Sequence, residues 1–265
     1  MTKIRLITWN VNSVRARLAI IERLLDQYNP DILCLQETKV QDHIFPTDIF
    51  DKYGLKHHGL AGQKSYHGVA TLSKIPISST NRINWCEKGD ARHIETVFDN
   101  GLMLHNFYVP AGGDIPDIVL DEKFAHKMNF ITEMENWSHE LPKNGKYILV
   151  GDLNIAPLET DVWSHKQLSK VVSHTPEECR ALNSVKEAHN WIDVMRHFVP
   201  EPEQLYSWWS YRSRDWRASN KGRRLDHVWC SHGLKDNMKS MEVIEDARGW
   251  EKPSDHAPVL VDIEL

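Results

Sequence analysis

Residues 4–37 read IRLITWNVNSVRARLAIIERLLDQYNPDILCLQE, and the change of period along this stretch decides the fold class. Ile4 to Trp9 is a short apolar, β-branched run that predicts a strand. Leu18, Ile21, Leu24, Leu25 and Tyr28 then recur at helical spacing, and Pro30 stops the helix. DILCLQE supplies the next strand. Strand, helix and strand in succession are the mark of α/β organisation.

The same alternation continues outward. GVATLS and HIETVF predict strands, and Asp99-Asn100-Gly101 is a turn signal before LMLHNFYVP. A hairpin there makes the sheet mixed rather than purely parallel. Phe124, Met128, Ile131, Met134 and Trp137 mark a second amphipathic helix, leading into YILVGDLNIAP at residues 147–157. Thr175-Pro176-Glu177-Glu178 is a capping box with proline at the first helical position, so a helix begins there. QLYSWW, RLDHVWC, MEVIED and APVLVDIEL return as strands. No repeat of fixed period is visible.

The chain has 265 residues, 41% of them hydrophobic and 26% charged, which suits a packed protein with a sizeable core. No Pro/Gly/Ser-rich linker interrupts it, so a single domain over residues 1–265 is expected. The start, MTKIRLITWNVNS, lacks a signal-peptide core, and no stretch reaches the roughly 20 apolar residues of a membrane span. Cys34, Cys86, Cys179 and Cys230 form no CxxC pair, which fits reduced thiols in a cytoplasmic protein. The 15 histidines are scattered without an HExxH, and His174 is expected at the surface.

A net charge of −5 argues against a nucleic-acid partner, but its distribution argues for one. Between Ser210 and Leu225, Arg212, Arg214, Arg217, Lys221, Arg223 and Arg224 face only Asp215, a local +5 (six minus one), interleaved with Trp208, Trp209, Tyr211 and Trp216. Cations that track phosphates beside rings that meet sugars or bases are the makings of a polynucleotide groove.

Candidate chemistry lies at strand ends. In GDLN, Asp152 and Asn154 are two apart and are expected on one face of a strand, at its carboxyl end. TWNVNS offers Asn10 and Asn12, LQETK offers Glu37, NFYVP offers Tyr108, RRLDHVW offers Asp226, and SDHAPV offers Asp255 and His256. Any one of these is a common turn or cap residue. Together they form a poor core and a good hydrolytic site. Hard oxygen donors suit Mg²⁺, with Mn²⁺ as a substitute, and Glu37 is the best first ligand. An imidazole beside a carboxylate, as His256 and Asp226 become on folding, favours the imidazolium that can neutralise a phosphate.

The ordered set TWNVNS, LQETK, YVP, GDLN, SWWSYR, RLDHVW and EKPSDHAPV resembles the exonuclease III family of abasic-site DNA repair nucleases, within the DNase I-like endonuclease/exonuclease/phosphatase group. The resemblance implies a four-layer α/β sandwich, two mixed β-sheets packed face to face and flanked by helices, with the active site at one sheet edge. It implies that Glu37 binds the metal with support from Asn10 and Asp255, and that Asp152, Asn154 and His256 complete the metal set. Asp152 acts on the attacking water with Asn154 beside it, while Tyr108 and His256, paired with Asp226, stabilise the phosphate. Trp208 and Leu225 are expected to wall the sugar pocket, with Arg212 and Arg223 flanking it. The implied partner is double-stranded DNA with abasic sites or blocked 3′ ends, bound by a monomer.

Two positions depart from the family pattern. Ala111 stands where relatives often carry a polar residue, with Gly112 and Gly113 following, and Arg223 stands where they often place an aromatic or aliphatic pocket wall. An RNA or phosphorylated-lipid phosphodiesterase and a non-catalytic DNA-binding relative are the alternatives. The second is disfavoured because Glu37, Asp152, Asn154, Asp226 and His256 are all present.

Overall fold

The central strands of this chain carry two apolar faces, and the architecture follows from covering both. In the computed structural model, which describes residues 2–265, the strands are β1 (Lys3–Asn10), β2 (Ile32–Gln36), β3 (His57–Ala61), β4 (Val69–Ser73), β5 (Ile77–Asn81), β6 (His93–Phe98), β7 (Leu102–Tyr108), β8 (Lys146–Asp152), β9 (Ile192–Asp193), β10 (Trp208–Trp209), β11 (Gly222–Arg223), β12 (Asp226–Cys230), β13 (Met238–Val243) and β14 (Val259–Glu264). One six-stranded sheet runs β13-β14-β1-β2-β4-β3 and the other β5-β6-β7-β8-β12-β9, with β10 and β11 a separate ribbon. Only β1/β2 and β7/β8 pair in parallel, so both sheets are mixed.

Alternation assigns each side chain to a layer. Ile4, Leu6, Ile32, Cys34, Val259 and Val261 from the first sheet bury against Leu102, Leu104, Ile148, Val150, Val228 and Cys230 from the second. On the outer face of the first sheet, Ile7, Trp9, Leu33 and Leu35 pack under α1 (Leu18–Tyr28), whose Ile21, Leu24 and Leu25 are fully covered. On the outer face of the second, Phe107, Tyr147, Leu149 and Trp229 pack under α2 (Glu122–Glu140) and α3 (Pro176–Ala188). Helix, sheet, sheet and helix make the four layers expected. The expected capping box is present: Thr175 accepts from the Glu178 N–H, the Glu178 side chain accepts from the Thr175 N–H, and Pro176 starts α3.

Two strand expectations need revision, and two strands were not anticipated. QLYSWW pairs only at Trp208–Trp209, because Leu205 and Tyr206 turn into separate buried contacts. MEVIED is displaced towards the amino end, to Met238–Val243, and Glu245 begins a short 3-10 turn. β3 and β5, HHGLA and ISSTN, carried no apolar run to announce them, and four of the five β5 residues are exposed.

The packing of the two sheets also locates the site. Along the inward face of each strand, composition changes from apolar to polar in one direction: Leu6 then Thr8 and Asn10, Cys34 then Gln36, Leu104 then Asn106 and Tyr108, Val150 then Asp152. β12 runs the other way and begins with Asp226 directly opposite Asp152. The polar ends are linked within and across the sheets, with Gln36 Nε2 donating to Thr8 Oγ1 of its own sheet at 2.9 Å and to Asn106 Oδ1 of the other at 2.7 Å. Oil gives way to hydrogen bonds, and then to a cleft.

Candidate active site

The cleft opens at the carboxyl ends of β1, β2, β7 and β8, the middle strands of both sheets and not a sheet edge. Its volume is about 890 Å³. Glu37, Tyr108, Asp152, Asn154, Asp255 and His256 line it, together with Trp208, Arg212, Arg223 and Leu225; Asn10 and Asp226 lie buried behind them.

Asn10 joins the two sheets, its Nδ2 donating to Glu37 Oε1 at 2.9 Å and to Asp152 Oδ2 at 2.8 Å. Glu37 is mostly buried, which opposes its charge, but Lys39 and Asn10 outweigh the burial and hold its carboxyl below the usual range. Lys39 Nζ sits 2.8 Å from Glu37 Oε2. Lys39 was not singled out from the sequence, although it is two residues from Glu37. Glu37, Lys39 and Asn154 all take left-handed backbone angles, φ +51°, +52° and +55°. Such strain in non-glycine residues collects where a site over-determines the backbone.

Asp152 and Asn154 do come together, but not by strand alternation. β8 ends at Asp152, and the left-handed turn at Asn154 swings its N–H to Asp152 Oδ1 (2.9 Å) and its Nδ2 to Val109 O (2.8 Å) and Asp152 Oδ2 (3.3 Å). Gly151 (φ +131°) allows the strand to pass β7, since a Cβ there would lie 2.0 Å from Phe107 O.

His256 bridges two carboxylates. Its Nδ1 is 2.8 Å from Asp226 Oδ2, and its Nε2 is 3.6 Å from Asp152 Oδ2. Asp226 also accepts from Ser207 Oγ at 2.6 Å, while its second oxygen, Oδ1, is buried without a partner. The loop carrying His256 is tied to β1: Trp9 Nε1 donates to His256 O at 2.9 Å, and Ser254 Oγ donates to Asn10 O at 2.6 Å. Burial pulls the imidazole pKa down, but Asp226 and Asp152 overcome it and lift it to about 10. Burial, reinforced by Asp226 and Glu37 against the pull of His256 and Asn10, pushes Asp152 up to about 7. Burial and the charges of Glu37 and Asp152 keep Tyr108 a neutral phenol, and the Arg92 guanidinium stacks 5.0 Å from its ring.

Trp208 and Trp209 face opposite ways as strand neighbours must. Trp209 is 1% exposed, whereas Trp208 lines the cleft and its Nε1 donates to Asp255 Oδ2 at 2.9 Å. Leu225 packs with Trp208 and Val162 as a wall. The basic segment is less basic than it reads: Arg224 is wholly buried on Asp161 and Asp193, and Arg217 pairs with Asp246. His174 is not a surface residue; it is 2% exposed, 2.6 Å from Ala156 O and 2.9 Å from His165 Nδ1.

Lys127 also went unnoticed in the sequence, because a lysine amid a helical apolar stripe carries no local mark of its partner. Fully buried on α2, its Nζ donates to Glu178, to Asn154 O at 2.8 Å and to Ala111 O at 3.3 Å. Beneath Ala111 it supports the loop whose Gly112 and Gly113 N–H groups make no bond to another described residue.

Residues 7–256 match the endonuclease/exonuclease/phosphatase family. The chain is 32% identical to the exodeoxyribonuclease III of Haemophilus influenzae, over 96% of this chain and 98% of that protein. An AP endonuclease from Archaeoglobus fulgidus has the same fold at a TM-score of 0.91 and 29% identity, over 99% of this chain and 100% of that one. A 3′ phosphatase from Neisseria, solved with a product DNA hairpin, superimposes at 0.91 with 27% identity, again over 99% and 100%. The chain belongs to the endonuclease/exonuclease/phosphatase family. Within it, the chain falls in the exodeoxyribonuclease III and AP endonuclease branch and is a nuclease.

Proposed function

We propose that this nuclease is a Mg²⁺-dependent phosphodiesterase that cuts duplex DNA on the 5′ side of an abasic site, leaving a 3′-hydroxyl, and that trims 3′ ends. The observation that carries this reading is His256, held between Asp226 and Asp152 at the wall of a cleft that Trp208, Arg212 and Arg223 also line.

The donor set fits a small hard cation. Asn10 joins the Glu37 and Asp152 carboxylates, Asp255 lines the same cleft, and no thiolate lies among them. When bound, Mg²⁺ neutralises phosphate charge and orients its oxygens. Glu37 is the principal ligand in this reading, with Asn10 and Asp255 in support. Asp152 takes a proton from the attacking water, and Asn154 fixes the Asp152 carboxylate. His256, as imidazolium, and the Tyr108 phenol donate to the phosphate oxygens as negative charge builds there. A protonated imidazole has no lone pair for a metal, so donation outweighs ligation for His256. Trp208 and Leu225 accept a base-free sugar turned out of the stack, where extrusion is cheapest. Arg212 holds the backbone beside it.

The test is incision of a duplex carrying one abasic analogue, with and without Mg²⁺, beside a matched RNA duplex and a phosphoinositide. Metal-dependent cutting 5′ to the analogue is expected, with chelation abolishing it and zinc a poor restorer. Failure to incise the DNA while hydrolysing either of the others would overturn the reading.

A further inference from the structure

Arg223 and Arg224 are consecutive, yet only one is neutralised. Arg224 meets Asp161 through two nitrogens and Asp193 through a third. Arg223 has no carboxylate within ion-pair distance among the described residues. Its Nη1 donates to neutral groups, Val172 O at 3.0 Å and Ser173 Oγ at 2.6 Å; its Nε is buried with no partner. No protein acceptor engages Nη2. The nearest acid that acts on it, Glu178, is already committed to Lys127 and to the Ser173 N–H. The guanidinium lies 5.4 Å from the Trp208 ring, whose own Nε1 is bonded to Asp255, so it stands one indole away from the reacting centre.

A half-buried guanidinium without an anion is costly unless the ligand brings one. An apolar wall at this point accepts a neutral deoxyribose; a fixed guanidinium narrows that space and calls for charge. A phosphate within a DNA chain carries one negative charge, whereas a terminal 3′-phosphate carries close to two. We infer that Arg223 is a specificity-determining residue: its guanidinium, lining the cleft beside Trp208, meets the second negative charge of a terminal 3′-phosphate held at Asp152 and His256 and crowds the space an abasic sugar needs, so that the chain prefers 3′-phosphomonoester ends to internal abasic sites. The preference rests on the reading of the cleft as a DNA phosphodiesterase. In the reaction, a water oxygen forms the new P–O bond and its proton passes to Asp152. The P–O3′ bond breaks with its electron pair on O3′, which takes a proton from solvent, giving a 3′-hydroxyl and orthophosphate.

The experiment compares kcat/KM of the full chain and of Arg223→Leu and Arg223→Lys on three duplexes: a nick bearing a 3′-phosphate, an internal abasic analogue, and an undamaged 3′-hydroxyl end. A charge-assisted hydrogen bond to phosphate is worth a factor of about 10 to 100. Arg223→Leu should lose that factor on the 3′-phosphate and gain on the abasic duplex, and inhibition by inorganic phosphate should weaken in parallel. Arg223→Lys should fall between parent and Leu. Equal losses on all three duplexes would make Arg223 a general backbone contact and overturn the inference. Absence of cutting by the parent on every duplex would instead overturn the proposed function. Should Arg223→Leu fail to fold, the Lys variant carries the comparison: loss confined to the 3′-phosphate supports the inference, and uniform loss refutes it.

Discussion

Asp161 and Asp152 are both buried carboxylates among charged neighbours, and they are treated in opposite ways. Asp161 receives Arg224 in a two-pronged pair at 2.7 and 2.9 Å and Arg196 from another side, while Asp193 takes the remaining nitrogen of Arg224. Two arginines cancel two aspartates. Burial opposes the charge of Asp161, but Arg224 and Arg196 outweigh it and hold its carboxyl below the usual range. Around Asp152 the count does not close. Among the described residues, Glu37, Asp152, Asp226 and Asp255 have ion-pair partners only in Lys39 and His256, and burial drives Asp152 up to about 7. The first cluster is a clamp, joining the β10/β11 ribbon to β9 and the 3-10 turn at Glu159–Asp161. The second keeps negative charge in surplus, which is what a divalent cation needs and what a folded protein tolerates only where the ligand returns the cost.

This contrast can be broken at either end. The largest effect is expected at the clamp: Arg224→Met removes the two-pronged partner of buried Asp161 and the ion-pair partner of half-buried Asp193, and should cost about 3–5 kcal/mol of stability, read as a lowered urea midpoint. Its rate per folded molecule should fall far less than that of the cleft variants. A variant as stable as the parent would show that the clamp holds nothing.

At the other end, Asp226→Asn and His256→Asn should each lose about 10²- to 10³-fold in rate, the size expected for a donor that meets transition-state charge. The double variant should be scarcely worse than either, because the pair acts as a unit; fully multiplicative losses would separate their roles. The pH profile sharpens the point. Activity should rise as Asp152 loses its proton, towards about 7, and fall as His256 loses its proton, towards about 10. Asp226 raises the His256 pKa, so Asp226→Asn should move the alkaline limb to lower pH. A divalent cation beside Asp152 favours the carboxylate, so the acid limb should lie lower at saturating metal than at limiting metal. The smallest effect is expected for Glu37→Gln, which should raise the Mg²⁺ concentration for half-maximal activity while DNA binding in EDTA stays nearly constant. An unaltered metal titration would remove Glu37 from the principal ligand position.

What could be read from the sequence divides along the same line. Helices α1, α2 and α3 and the core strands announce themselves because period and capping are local properties, and the polar strand ends were visible as residue types. The partnership of Asn10 with Asp152, 142 residues away, has no local trace. Arg224 reads like its neighbour Arg223 until folding brings Asp161 to it. Lys127 and His174 were missed or misplaced for the same reason: burial of a polar side chain is decided by a distant acceptor, here Asn154 O and Ala156 O.

The tie between β1 and β14, which sets Leu6 opposite Val261 and brings the His256 carbonyl to the Trp9 indole, has a consequence in time as well as in space. Contacts this far apart along a chain are closed late, after nearer ones have formed. Asn10 and Glu37 come from one sheet, Asp152 and Asp226 from the other, so no folding intermediate with undocked sheets owns the complete set of groups proposed for the reaction. On the proposed assignment of the cleft residues, activity is a direct readout of the docked state.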